Sequence, residues 1–186
     1  MLDDKPRKCA GEIRFGEEHL YEVIEPVIRI YDQVPAGLDA VAPGPVLAAW
    51  LSSIDVSSIS PYDRIVVLKA HDRLVSHFQA HRYRDMAAVA EAEADLWGDP
   101  DGVDHENDEV AAAEVRVALH LTRRSADIEM GLALEMRRRL PALFELLASG
   151  AIDVARARVI ERATMHLSDE YARDVVDRIA SDAPTM

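Results

Sequence analysis

The sequence predicts an all-α protein that contains one very long helix and an orthogonal bundle of short helices, including a helix-turn-helix-like pair. Two observations carry this prediction. Apolar residues recur at three- and four-residue spacing through most of the 186 residues, and the 8 glycines and 9 prolines fall between these periodic segments. Hydrophobic residues make up 49% of the chain and aromatic residues only 5%, which favours thin, closely packed helices.

The first 43 residues are predicted to form an N-terminal arm with one kinked helix. Leu20, Ile24, Val27 and Tyr31 lie at helical spacing within residues 17–33, and Pro26 should kink or split that helix. A linker rich in proline and glycine follows it.

Residues 44–97 are predicted to form a short helix, about 45–54, and the long helix. Ser60 and Pro61 are typical of an N-cap and a first helical residue, and Gly98 is the next helix breaker. Up to 37 residues can therefore be helical, a length of roughly 55 Å. The helix carries a loose heptad of apolar residues, through which we expect self-association: Ile65, Leu68, Val75, Met86, Val89 and Leu96.

Residues 98–108 are predicted to be an acidic linker, and residues 109–186 a five-helix bundle. The expected helices are 109–120, 123–137, 141–150, 154–166 and 169–181, because capping residues, Pro141 and Gly150 mark their ends. Asp108, Thr122 and Asp153 are the expected caps.

Charge and cysteine content exclude several classes of protein. The net charge is −13, which disfavours nonspecific nucleic-acid binding by the whole chain but not by a local basic surface. Cys9 is the only cysteine, so no disulfide can form within one chain, and no apolar run reaches the ~18 residues of a membrane span. We therefore expect a cytoplasmic protein without a membrane partner.

The segment 114–128 has the pattern of a helix-turn-helix. Thr122 would cap the second helix, and Arg123, Arg124 and Ser125 would be its first exposed residues, from which DNA contacts originate. His120 stands where such turns usually have glycine, and the acidic residues Asp127 and Glu129 would face the same groove. Packing within a plain helical bundle is the alternative.

Arg137, Arg138 and Arg139 form a second candidate DNA contact, to the phosphate backbone. The alternative is that these cations stabilise the end of their own helix through its dipole.

The sequence predicts no catalytic centre, metal site, cofactor or small-molecule substrate. His77, His81 and Asp85 share one face of the long helix, but no further ligands are identifiable, and a solvated face is the preferred interpretation. The acidic linker lacks the register of a calcium loop, and no phosphate loop, nucleophile elbow or HExxH motif is present.

Three blocks in order resemble one family, the actinobacterial 13E12 repeat family with its domain of unknown function 222. They are residues 44–80, 108–126 and 139–160 continuing to 170, and the resemblance covers about residues 44–184. It implies a helical module that in many members accompanies an HNH endonuclease domain. No position here matches the nuclease residues, so we expect no enzymatic activity.

Two functions follow from these observations. The first is a DNA-associated module that uses the helix-turn-helix-like segment. The second is a protein-interaction or homodimerisation module with no direct DNA contact.

Overall fold

The structure, a computed structural model, describes residues 33–97 and 105–182. The arm helix predicted at 17–33, Cys9 and most of the acidic linker therefore lie outside the described residues. Within the described ranges the chain forms seven α-helices and no β-strand, so the predicted all-α class is confirmed. None of the described helices is both long enough and apolar enough to cross a bilayer.

The helices are numbered in chain order. They are α1 (Pro45–Ser52), α2 (Pro61–Trp97), α3 (His105–Ala118), α4 (Arg123–Leu134), α5 (Pro141–Ala148), α6 (Val154–Thr164) and α7 (Asp169–Asp182). A π-helical turn, Glu135–Arg139, joins α4 to α5. Because α3 begins at His105, Asp108 lies inside the helix and is not the cap that the sequence predicts.

Three of the helix starts that local sequence predicts are confirmed by their capping hydrogen bonds. The Ser60 hydroxyl accepts from the Asp63 amide at 3.1 Å. The Thr122 hydroxyl accepts from the Ser125 amide at 3.2 Å, and the Asp153 carboxylate accepts from the Arg156 amide at 2.7 Å. Each cap satisfies an amide that has no partner within its own helix.

Two hydrophobic cores share α2. The smaller core packs α1 and the preceding loop against the first half of α2, and its buried residues are Leu38, Leu47, Leu51, Ile54, Ile59, Val67 and Ala70. The larger core packs the second half of α2 against α3–α7. Val67 and Ala87 are about twenty residues apart, which places them on nearly opposite sides of a helix with 3.6 residues per turn. The buried side of α2 therefore changes midway along its length.

Helices α3 and α4 form an antiparallel hairpin. Asp108, near the start of α3, accepts two hydrogen bonds of 2.8 Å from Arg138, which follows α4. If the two helices crossed near a right angle, these residues would be about 30 Å apart at 1.5 Å rise per residue. The pair thus lies side by side, whereas a helix-turn-helix crosses at ~90–120°.

Arg73 of α2 fixes the loop that leads into α1. Its guanidinium donates to the carbonyl oxygens of Val41 at 3.1 Å and Leu38 at 3.0 Å. Leu38 is itself buried in the smaller core. The loop is therefore held against the first half of α2 both by the buried side chain of Leu38 and by its backbone carbonyl groups.

Candidate functional site

The turn between α3 and α4 has the local geometry that its sequence indicates. His120 has φ of 53°, a left-handed conformation that side chains other than glycine rarely adopt. His120 is thus the turn residue that occupies the usual place of glycine. Thr122 then caps α4, and the first residues of that helix are exposed to solvent.

Two of the candidate DNA-contacting residues are available at this turn. Arg123 and Arg124 are exposed, and neither has a hydrogen bond or ion pair to any residue that the structure describes. Arg116, at the end of α3, is equally exposed and unpaired among those residues. Ser125 differs, because it is half-buried and its hydroxyl accepts a 2.8 Å hydrogen bond from Thr122. The free cations at the turn are therefore Arg116, Arg123 and Arg124.

The predicted backbone contacts Arg137 and Arg138 are paired with carboxylates of other helices. Arg137 donates to Glu91 of α2 at 2.6 Å, and this pairing raises the pKa of Arg137 above its ordinary value. Arg138 makes its two bonds with Asp108. Arg137 connects the hairpin to α2, and Arg138 joins the two ends of the hairpin. Both arginines would have to break these contacts to bind phosphate.

Arg139 is largely buried in a set of acceptors. It donates to Glu135 and Asp169, both at 3.0 Å, and to the carbonyl oxygens of Thr164 at 2.7 Å and Leu167 at 2.8 Å. The hydrogen bond with Glu135 is the main cause of its raised pKa. Arg139 therefore holds the end of α6 against the π-helical turn.

A groove of about 650 Å³ runs between α3 and α4. Its end near the turn contains Arg116 and Arg123, and its other end contains Asp108 and Glu109. Asp127 also lines it. Because carboxylates repel phosphate, only the end near the turn suits a nucleic-acid backbone.

Glu129 does not face this groove, contrary to the prediction from sequence. Its carboxylate accepts hydrogen bonds from Tyr83 Oη at 2.5 Å, from Arg82 at 2.9 Å and from Arg158, and its side chain is 17% exposed. The contacts join α4 to α2 and α6. Burial and the neighbouring Glu129 raise the pKa of Tyr83. The Nε of Arg158 is buried and has no hydrogen-bond partner among the described residues.

Sequence reasoning missed this cluster because its members are far apart in the chain. Tyr83 and Glu129 are 46 residues apart, and neither belongs to a recognisable motif. The only available signal is the position of Glu129 on the face of α4 that also carries Ala126 and Met130, both of which are buried. The contacts of the cluster join three helices, which favours a structural role.

His77 and His81 of the long helix are not joined by further metal ligands among the residues that the structure describes. The rings of His77 and His81 lie 4.3 Å apart, and Nδ1 of His77 donates to the carbonyl oxygen of Ala148 at 2.8 Å. Partial burial, with His77 and Arg84 nearby, lowers the pKa of His81. Among the described residues no three His, Cys, Asp or Glu side chains are placed to hold one metal ion.

An exposed apolar stripe runs along the first half of α2. Ile65 is 52% exposed, Leu68 63%, Val75 53% and Phe78 53%. The predicted heptad continues to Met86 and Val89, but Met86 is buried and Val89 packs against the larger core. Leu96, the last residue of the heptad, is 74% exposed, so the heptad is open at both ends of α2 and covered between them.

Comparison with known proteins gives one match. A family model described as Domain of unknown function (DUF222) matches residues 69–183, which extend from α2 beyond α7. No curated protein and no solved structure matches the chain.

Proposed function

We propose, from the premise that the chain belongs to the DUF222 family, that it is a non-catalytic helical module that pairs with a second copy through α2. The family match agrees with the resemblance found in the sequence. The pairing surface is the apolar stripe of Ile65, Leu68, Val75 and Phe78.

The exposure of this stripe is the observation that carries the proposal. Four large apolar side chains, each more than half exposed, recur along one stretch of helix. Contiguous apolar surface of this kind is typical of protein interfaces, since burial of it against a partner is favourable by about 25 cal/mol per Å². A twofold pairing would bury the stripe against itself.

Charge opposes self-pairing only weakly at this part of α2. Residues 61–82 contain four basic and two acidic residues, although the whole chain has a net charge of −13. Two copies that meet here therefore repel each other less than two strongly acidic surfaces would.

The stripe extends over 13 residues, a distance of about 20 Å along the helix axis. An interface of this length is small, and we expect it to fall at the lower end of the range of stable interfaces, below about 1,200 Å². We expect so small an interface to be weak, with dissociation at micromolar concentration.

Light scattering coupled to size exclusion tests the proposal across micromolar concentrations. We expect a monomer–dimer equilibrium that Val75→Asp combined with Phe78→Asp shifts to monomer. Val117→Asp is the matched control, because Val117 is 68% exposed on α3, away from the stripe. A wild-type chain that stays monomeric throughout would sink the proposal.

The three free arginines at the α3–α4 turn favour DNA binding as a second candidate function. Arg116, Arg123 and Arg124 supply three positive charges without carboxylate partners among the described residues. Three phosphate contacts predict a slope of log K against log salt of about −3.

Fluorescence anisotropy with duplex DNA at low salt distinguishes this candidate. Arg123→Ala combined with Arg124→Ala should abolish binding, whereas Arg137→Ala should leave it unchanged, because Arg137 is engaged with Glu91. Equal losses in both variants, or no binding at the lowest salt, would argue against the turn as a DNA contact.

A further inference from the structure

A groove of about 1070 Å³ opens between the first half of α2 and helices α6 and α7. Its lining is mostly apolar, with half-buried residues at the floor and exposed residues at the rim. The floor includes Val66, Ile160 and Ile179, and the rim includes Tyr62 and Val159, the last of which is 67% exposed.

The groove lies beside the point at which the described chain begins. Asp39 lines it, and the neighbouring Leu38 is buried and bonded through its carbonyl oxygen to Arg73. Asp39 is the seventh residue after Asp32, and that length of chain spans at most about 25 Å at 3.3–3.6 Å per residue. The chain that precedes Gln33 is therefore tethered to the rim.

The sequence of this preceding chain fits the groove in its apolar pattern and its charge. Leu20, Ile24, Val27 and Tyr31 form one stripe, with spacing that predicts a helix interrupted by Pro26. Residues 17–32 contain five acidic residues and one arginine.

The groove is lined by more basic than acidic residues, the opposite of residues 17–32. Three basic and two acidic residues line it, and the basic ones are Lys69, Arg73 and Arg156. Lys69 is exposed and has no hydrogen bond or ion pair to any residue in the described ranges. It is available to the carboxylates of an acidic segment.

We propose that residues 17–32 of the same chain dock in this groove, with the stripe of Leu20, Ile24, Val27 and Tyr31 against Val66, Val159 and Ile160. The apolar lining, the exposed Lys69 and the attachment of the arm beside Asp39 favour this segment as the occupant. The docked arm would bury apolar surface on the first half of α2, as helices α3–α7 bury apolar surface on its second half. Leu68 belongs both to the groove and to the pairing stripe, whereas Val75 and Phe78 do not line the groove, so docking and pairing are tested with separate variants.

Paramagnetic broadening in the full chain tests the docking. Cys9→Ser combined with Arg29→Cys places one nitroxide off the apolar stripe of the arm. In a methyl-labelled chain we expect broadening of the Val159 and Ile179 signals, and recovery of those signals when the nitroxide is reduced. The control is a mixture of two kinds of chain, one with the nitroxide but no methyl labels and one with methyl labels but no nitroxide. This mixture should show no broadening.

Matched variants test which surfaces meet. Ile24→Asp should abolish the broadening, whereas Tyr21→Asp, which adds the same charge a quarter turn from the stripe, should preserve it. Val159→Asp should abolish the broadening of Ile179, and Val117→Asp, at a residue of nearly equal exposure on α3, should preserve it.

Circular dichroism of each variant shows whether the helices are retained, and only folded variants are compared. No broadening in the starting chain overturns the proposal, as does broadening that survives Ile24→Asp and Val159→Asp. Broadening that also appears in the mixed sample overturns it, because the arm would then occupy the groove of a second copy.

Discussion

A Cβ atom at Gly150 would lie 2.8 Å from the Cα and 2.7 Å from the Cβ of Arg73. Gly150 follows α5, and Arg73 lies in the first half of α2, so this contact brings the α5–α6 turn directly onto the backbone of the long helix. Gly150 also has φ of +73°, a conformation that favours glycine. Two independent physical reasons therefore require glycine here.

Gly150→Ala is expected to lower the free energy of unfolding by about 2 kcal/mol or more, from left-handed strain and the clash together. Chemical denaturation measures the change. The matched control is Gly131→Ala in α4, where a Cβ would meet nothing within 4 Å and φ is ordinary for a helix. That control should gain about 0.5–1 kcal/mol, and equal destabilisation of both variants would contradict the argument.

Glu129→Ala is expected to cost about 3 kcal/mol of unfolding free energy, because it leaves Tyr83 and Arg158 without their acceptor. Glu91→Ala removes a carboxylate from an exposed pair with Arg137 and should cost below about 1 kcal/mol. Urea titrations of both variants provide the comparison. Similar losses would mean that the Glu129 cluster contributes no more than a surface ion pair.

Glu161→Gln is expected to raise the melting temperature near neutral pH. Burial, and secondarily the nearby Glu135, raise the pKa of Glu161 in the folded chain. The folded state therefore binds this proton more tightly than the unfolded state, and stability falls as pH rises through the folded-state pKa.

The advantage of Glu161→Gln should accordingly shrink as pH falls toward the ordinary pKa of glutamate, about 4.3. Thermal melts of both chains across this range measure it, with Glu145→Gln, at an exposed position of α5, as the control. A difference between wild type and variant that does not change with pH would refute the assignment.

Thr122→Ala is expected to cost about 1 kcal/mol, the usual effect of removing an N-cap. The loss arises because the Ser125 amide loses its acceptor at the start of α4. Thr122→Ser keeps the hydroxyl and should retain most of the stability. If both substitutions cost the same in denaturant titrations, the methyl group and not the cap is responsible.

The parts of the fold that depend on local chemistry could be predicted from the sequence. Ser60, Thr122 and Asp153 mark helix starts through hydrogen bonds to amides three residues away, and Gly150 marks a helix end. These interactions depend on neighbours in the chain, so their residue types are sufficient evidence.

The contacts of the candidate site could not be predicted in the same way. Arg137 pairs with Glu91 and Arg138 with Asp108 across 46 and 30 residues, and no local spacing indicates those partners. The hairpin packing of α3 and α4 likewise brings together residues that are distant in the chain, such as Ala112 and Met130 in the larger core. Which apolar residues of α2 are exposed depends on which helices cover it, and the heptad alone does not contain that information.

The shared use of α2 by two cores has a consequence for how the molecule opens. Its first half is stabilised by a small cluster of seven buried residues, and its second half by the larger core. Opening of the small cluster need not expose the large one, so amide protons along this single helix should exchange at two different rates. The backbone near Ser76, where the buried side of α2 changes, is the boundary between the two halves. The first half of α2 can open there while the second half stays folded.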